Sequence, residues 1–240
     1  MTTTQTDTIT RQPPLHYFDG ELGYLHSLLL DMTGQLIQQL EQTLHALDYA
    51  DMETALRVID RDGKVNTRHA HIETEVRAVL SRQGALTNDL RTVLLISKIA
   101  DALEKIGNEI ADFAARTPAF SHQDEAEKCC LLADIFSTGG AIKVLLNKMT
   151  AVLESRDSSP AYKLIRDSLH CETRIQTGIQ RQLSLAMRSP DWLDPALDAM
   201  YILKALERCT EHCRKIAGYL ILMLDSIDIR GHGPAVSRRA

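Results

Sequence analysis

Two segments of the chain carry carboxylates at the spacing of one helix face. Over Ala102–Phe113 the sequence reads ALEKIGNEIADF, so Glu104, Asn108 and Asp112 fall at i, i+4 and i+8. On an α-helix those positions share one face over about 12 Å. Asp101 and Glu109 flank the stripe. Over Ala205–Tyr219 the sequence reads ALERCTEHCRKIAGY, with Glu207 and Glu211 one turn apart and Lys215 one turn further on. Two carboxylates one turn apart repel each other, and a hard or borderline cation between them removes that cost. Oxygen ligands suit magnesium, manganese, calcium or iron, above all as a cluster completed by acids from neighbouring helices. Asp62 and Asp167, each on a preceding helix, could reach across as further metal ligands. From spacing alone a solvated charged face is the commoner meaning of such a pattern, and a salt bridge the commoner role of Asp62 and Asp167.

Other chemistry finds less support. Cys209, His212 and Cys213 invite a zinc reading, but no second Cys-His group stands at a zinc-finger distance. Cys129 and Cys130 are adjacent and cannot point the same way, so buried or partly buried free thiols are expected. His69 and His71 lack a convincing partner, and no HExxH occurs. Gly139-Gly140 is not followed by the Lys-Ser/Thr of a phosphate-cradling loop, and GxSxG is absent. Nothing supplies a catalytic foothold, so an adaptor or regulator with bound metal is expected rather than an enzyme.

The elements that must position these residues are helices. Leu22, Leu25, Leu29, Met32, Leu36, Leu40, Leu44 and Leu47 recur every three or four residues and mark one long apolar stripe. Asp51 reads as the N-cap of a second helix over 52–83, with Gly84 as its stop. Thr87, with Asp89 in the first turn, opens a third helix that Pro118 ends. Further helices are expected over 125–154, from Ser159-Pro160 to about Met187, and from Asp194-Pro195 to about Asp225.

Three helices followed by three helices of matching length make an internal repeat. Glu21 and Glu127, Gly34 and Gly140, and Asp51 and Asp157 are each 106 residues apart; Asp62 and Asp167 are 105 apart, and Glu104 and Glu207 are 103 apart. The expected fold is all-α: two tandem antiparallel three-helix bundles related by a pseudo-twofold. The first would span 17–118 and the second 121–230, with a flexible arm over 1–16 and a flexible tail over 231–240. Gly34 and Gly140 would let the first helices of the two repeats approach closely.

Composition agrees. Aromatic residues are 5% of the 240, too few for a typical sheet sandwich or propeller. The longest strongly apolar run, Tyr219–Leu224, has six residues, against the roughly 18 a membrane span needs. The Thr-rich start has no basic region or apolar core, so it does not read as a secretory signal. Five cysteines, an odd number, suit a reduced, cytoplasmic protein. A net charge of −5 argues against direct nucleic-acid binding.

The residues also carry a resemblance. Phe18–Asp51 resembles the first helix of the PhoU family of bacterial phosphate-signalling regulators, and so does VIDRDGKVN at Val58–Asn66. Thr87–Phe113 is similar to the PhoU helix that holds an E-x-x-x-D metal motif. ALERCTEHCRKI and the ending DSIDIRGHG match in the second repeat. The resemblance implies a cytoplasmic, non-enzymatic protein of two three-helix bundles, often a homodimer. It implies contact with subunits of the phosphate-specific ABC transporter (Pst) and with a PhoR-type sensor kinase, the membrane being met only through these partners. It also implies restraint of phosphate uptake and of the starvation response when phosphate is plentiful, and binding of iron, zinc or other cations on the acidic motifs, with manganese and magnesium also suited. A paralogue serving another phosphate carrier or a metabolic or stress pathway, or a metal-binding adaptor, is the alternative. Carried over, the motifs are Glu104 with Asn108, where the family prefers Asp, then Asp112; and Glu207 with Glu211, one methylene longer than the family's Asp. Lys105 replaces the family's Arg and Lys215 its Asn. The neutral Asn108 makes the first motif the weaker metal ligand set of the two.

Overall fold

The computed structural model describes residues 15–82, 87–188 and 190–225. These form six long helices: α1 (Leu15–Tyr49), α2 (Met52–Arg82), α3 (Thr87–Arg116), α4 (Glu125–Ser155), α5 (Ser159–Ala186) and α6 (Leu193–Asp225). Short 3-10 turns, Thr117–Phe120 and Pro190–Trp192, precede α4 and α6. The expected stop at Gly84, the Thr87 and Asp89 side chains, and both tails lie outside the described residues.

Local chemistry sets the helix ends. Asp51 caps α2 by accepting from the Thr54 backbone N–H at 3.0 Å and the Thr54 hydroxyl at 2.6 Å. Asp157, its repeat mate, accepts from the Ser159 N–H at 3.0 Å and its hydroxyl at 2.9 Å. The residues just before these two, Ala50 and Arg156, both take left-handed φ angles, 51° and 54°. Both chain reversals after a first helix are therefore built alike. Asp124 opens α4 with a reciprocal capping box: Glu127 N–H donates to Asp124 Oδ1 at 2.9 Å, and Asp124 N–H to Glu127 Oε2 at 3.2 Å. Pro118 sits in the 3-10 turn that ends α3. The sixth helix starts at Leu193, so Asp194 lies in its first turn, near the positive end of the dipole, rather than at the cap.

The apolar stripe on α1 is the core stripe. Leu25, Leu29, Met32, Leu36, Leu40 and Leu47 are at most 1% exposed. Each first helix packs on the second and third of its own bundle, which makes two three-helix bundles. Between bundles, α1 packs on α4 and α3 on α6. One connected set of buried apolar side chains runs through all six helices. The pseudo-twofold passes between α3 and α6, where Cys209 Sγ lies 4.0 Å from the carbonyl of Ile106, its own repeat mate at the 103-residue offset.

Gly34 and Gly140 do not mediate the α1–α4 approach. A Cβ on either would meet nothing within 4 Å. Gly139 does, since a Cβ there would stand 2.7 Å from Leu44 Cδ2. The two adjacent glycines lie about 100° apart around the helix, so only one faces α1. Along α4 the 126–155 segment is apolar and long enough to cross a membrane by length and composition alone. Its Leu131, Ile135, Ile142, Leu145, Leu146, Met149 and Val152 are buried against the other helices, as in a core helix.

Candidate metal centre

The second and third helices of the first bundle run antiparallel, pairing residue 62 with 107 and 69 with 101. Gly107 sets their approach. A Cβ there would lie 3.0 Å from Val65 Cγ1, 3.3 Å from Leu36 Cδ2 and 3.5 Å from Asp62 Oδ1. The missing side chain thus admits the Asp62 carboxylate to the surface of α3, beside the Glu104 stripe. Asp62 Oδ2 accepts from Asn66 Nδ2 at 3.1 Å, while Oδ1 is buried without a hydrogen-bond partner. Burial raises the Asp62 pKa. The Asn66 bond opposes the rise, and the negative charges of Glu104 and Asp112 add to it. Asn108 Nδ2 donates to Glu104 Oε1 at 2.7 Å. Asp62, Glu104, Asn108 and Asp112 therefore belong to one seam. An orphaned buried oxygen facing two further carboxylates is a donor set that fits a hard cation.

Along the same seam stands a group that single-helix periodicity does not show. His69 Nε2 lies 2.7 Å from Asp101 Oδ1. With Glu73 these residues offer three ligand atoms within 4.8 Å of one another, all half-buried. A mixed nitrogen and oxygen set suits a borderline cation such as zinc, manganese or iron. His69 therefore has a partner after all, and His71 has one in the Tyr24 hydroxyl at 2.9 Å. The available signal was the α2 series 62, 66, 69, 73, which shares a face and lines up against the acids of α3.

The second bundle treats the equivalent acids differently. Asp167 forms an ion pair with Lys148 of α4. Glu207 accepts from Lys204 Nζ at 2.6 Å and is also held by Gln176 of α5. Glu211 stands 4.0 Å from Lys215. Lys204 and Lys215 are the repeat mates of Asp101 and Asp112 at the 103-residue offset. The chain thus supplies its own cations here. Asp167 and Glu207 are drawn to different partners, and the residues present do not fit a cation as the first seam does.

The soft zinc reading also fails on geometry. Cys171, Cys209 and Cys213 are buried free thiols, while Cys129 and Cys130 are exposed. Burial pushes the Cys213 thiol up to about 12 and Cys209 well above its ordinary value. Among the described residues, Cys209, His212 and Cys213 do not bring three ligand atoms within 4.8 Å of one another. Across the pseudo-twofold, Arg208 Nε donates to Glu109 Oε1 at 2.6 Å. Its symmetry mate is Lys105 facing His212, whose imidazole pKa is lowered by burial and by Lys215 and Lys105, against Glu211 and Glu104.

Two three-helix bundles about a pseudo-twofold, with a carboxylate seam on the third helix of the first, define a class of all-helical proteins, and comparison with known proteins finds the same class. The PhoU domain family matches residues 29–117. The chain is 29% identical over 219 residues to the phosphate-specific transport system accessory protein PhoU of Serratia marcescens, covering 90% of this chain and 88% of that one. A PhoU homologue of Pseudomonas aeruginosa is 25% identical over 216 residues, with the same coverage of 90% and 88%. The crystal structure of PhoU from P. aeruginosa superposes with a TM-score of 0.82 at 25% identity, over 88% of this chain and 100% of that chain. The phosphate transport system regulatory protein PhoU from Streptococcus pneumoniae shares the fold, with a TM-score of 0.78 at 20% identity over 88% and 98%. Residues 29–117 thus match the PhoU domain, and the likeness to PhoU proteins extends over both bundles.

Proposed function

We propose that this chain is a non-enzymatic, cytoplasmic regulator of phosphate homeostasis. It restrains phosphate uptake and the starvation response through contact with subunits of a phosphate-specific ABC transporter and a PhoR-type sensor kinase. The observation that carries this reading is the likeness to phosphate-specific transport system accessory proteins over 90% of the chain, both bundles included. Six long helices packed on one core offer broad rigid faces to such partners. Contact regulates only if the chain binds one state of its partner more tightly than the other.

Within this reading the first seam holds the cation. Asp62, Glu104, Asn108 and Asp112 supply oxygen ligands, and His69, Glu73 and Asp101 a second set further along. A cation bound there would supply positive charge that joins α2 to α3 and relieves the repulsion at Asp62. Glu207, Glu211 and Asp167 act instead as ion-pair partners that stiffen the second bundle.

The test is a deletion strain carrying a starvation-controlled phosphatase reporter. In phosphate-rich medium the deletion raises phosphatase, and the intact gene on a plasmid restores repression. Unchanged reporter activity in the deletion would sink the reading. A gene whose neighbours encode another carrier, with the reporter unmoved, would point to the paralogue.

A further inference from the structure

Three positions along the first seam differ in charge from their equivalents in the second bundle. At the 105-residue offset that pairs Asp62 with Asp167, His69 and Glu73 of α2 correspond to Arg174 and Gly178 of α5. At the 103-residue offset of the third helices, Asp101 corresponds to Lys204. The second bundle thus has two fixed cations and a glycine where the first has an imidazole and two carboxylates. Both bundles contribute to one connected core, so packing does not demand the triad. In the second bundle Lys204 Nζ reaches Glu207 at 2.6 Å and neutralises part of the seam from within. The first bundle builds in no such cation. Among the described residues, no lysine or arginine forms an ion pair with Glu73 or Asp101, and the one basic neighbour of Asp101 is His69.

The three side chains converge. His69 and Glu73 stand one turn apart on one face of α2, and Asp101 meets them from α3, its Oδ1 2.7 Å from His69 Nε2. With a Glu73 oxygen these atoms all lie within 4.8 Å of one another. Ligands held at about 2.0–2.2 Å from one ion stand at most about 4.4 Å apart, so small side-chain rotations bring all three to a single ion. Each residue is half-buried, which leaves one side open for an ion to enter. None of the three stands at Glu104 or Asn108, the positions of the E-x-x-x-D motif. Asp62 meets α3 at Gly107 and His69 meets it at Asp101, about 9 Å further along that helix, so the two donor sets hold separate ions.

We infer that His69, Glu73 and Asp101 form a zinc site, distinct from the hard-cation set around Asp62 and filled independently of it. Imidazole is a good ligand for zinc, whereas the all-oxygen donors of Asp62, Glu104, Asn108 and Asp112 suit manganese or magnesium. One imidazole and two carboxylates make three protein ligands, which leaves the fourth position of a tetrahedral zinc for water. The chain therefore sorts cations by position along one seam, with the nitrogen donor deciding which ion goes where. The inference rests on the reading that the first seam binds cations, and it is independent of the transporter and kinase contacts.

The experiment is calorimetric titration of the full, chelator-stripped chain with zinc and, separately, with manganese, alongside thermal melts. His69→Gln and Glu73→Gln should each weaken the tightest zinc event by at least the roughly tenfold that even an outer-shell partner costs, and leave manganese binding unchanged. Asp62→Asn should do the reverse. Zinc should raise the Tm of the parent and of Asp62→Asn, and much less that of the two zinc-site variants. Glu73→Gln sheds a charge beside Asp101, so its metal-free Tm should equal or exceed the parent's, which separates lost binding from lost folding. Nitrogen NMR of the imidazoles should show the His69 signal, assigned by its absence from His69→Gln, shift with the first zinc bound. Tight zinc binding that survives in both zinc-site variants, that falls equally in Asp62→Asn, or that leaves the His69 signal unmoved would overturn the inference while leaving a cation seam. A stripped chain that binds neither zinc nor manganese would overturn the metal-binding reading with it.

Discussion

Burial and the neighbouring Glu104 and Asp112 hold the folded-state pKa of Asp62 above its unfolded value, the Asn66 bond only partly opposing them. Ionising the group therefore opposes folding. As pH rises from the unfolded pKa through the higher folded one, this residue withdraws stability, and as pH falls it returns it. In metal-stripped protein at neutral pH, Asp62→Asn should raise the Tm, because the amide keeps the shape and sheds the charge. Adding manganese should raise the Tm of the parent chain by mass action and of the variant much less. Thermal melts of both proteins, with and without manganese, check this. A variant that melts lower without metal, or that gains as much from manganese as the parent does, would show that the repulsion does not matter. The Glu104 stripe was legible from one helix's period, and the candidacy of Asp62 from its place in the repeat, 105 residues before Asp167. His69 with Asp101 was not, since that contact depends on how α2 is rotated against α3, which neither period reports. Nor was the neutralisation of Asp167, because its partner Lys148 lies on a third helix.

The helices themselves were legible nearly to the residue where a cap marked the end, as at Asp51 and Pro160. What sequence could not show was the conformation of the residue before Asp51, the cap of α2, and before Asp157, which stands one residue ahead of the cap of α5. Ala50 and Arg156 are left-handed and neither is glycine. An L-residue there costs about 1–2 kcal/mol in steric strain. Glycine removes that strain but loses more backbone freedom on folding, by about 0.4–1 kcal/mol. Ala50→Gly and Arg156→Gly should each stabilise the protein by about 0.5–1 kcal/mol. The two turns lie in different bundles and share no partner, so the double variant should be close to additive. Urea unfolding of the two singles and the double measures this. Destabilisation by Ala50→Gly would mean that the methyl's packing outweighs the strain. The mistaken assignment to Gly34 and Gly140 has a similar origin: the repeat offset pairs positions, but a glycine matters only on the face that meets another helix, and that face is at Gly139.

At the scale of the whole molecule the pseudo-twofold between α3 and α6 produces an asymmetry that titrates. One side of the axis carries an ion pair, Glu109 with Arg208. The symmetry-related side sets Lys105 toward His212, where protonation would place like charges together. Burial disfavours the protonated ring most, Lys215 and Lys105 add to that, and Glu211 and Glu104 only partly offset them. The folded pKa of His212 is thus below its ordinary value of 6.5. For a histidine shifted this way, the unfolded chain takes up the proton first as pH falls. The stability it contributes is held above about 6.5 and lost as pH drops through the unfolded and then the folded value. His212→Gln keeps a neutral polar side chain at every pH, so the variant should lose less stability than the parent between about pH 7 and pH 5. His212→Glu should go further at pH 7, giving Lys105 the partner that Glu109 gives Arg208, with a gain of about 0.2–1 kcal/mol that fades at high salt. The α3–α6 seam joins the bundles, so the effect should appear as a shift of the whole unfolding transition. Urea midpoints at several pH values, with and without added salt, decide it. A His212→Gln protein whose midpoint falls as steeply with acid as the parent's would place the acid sensitivity elsewhere.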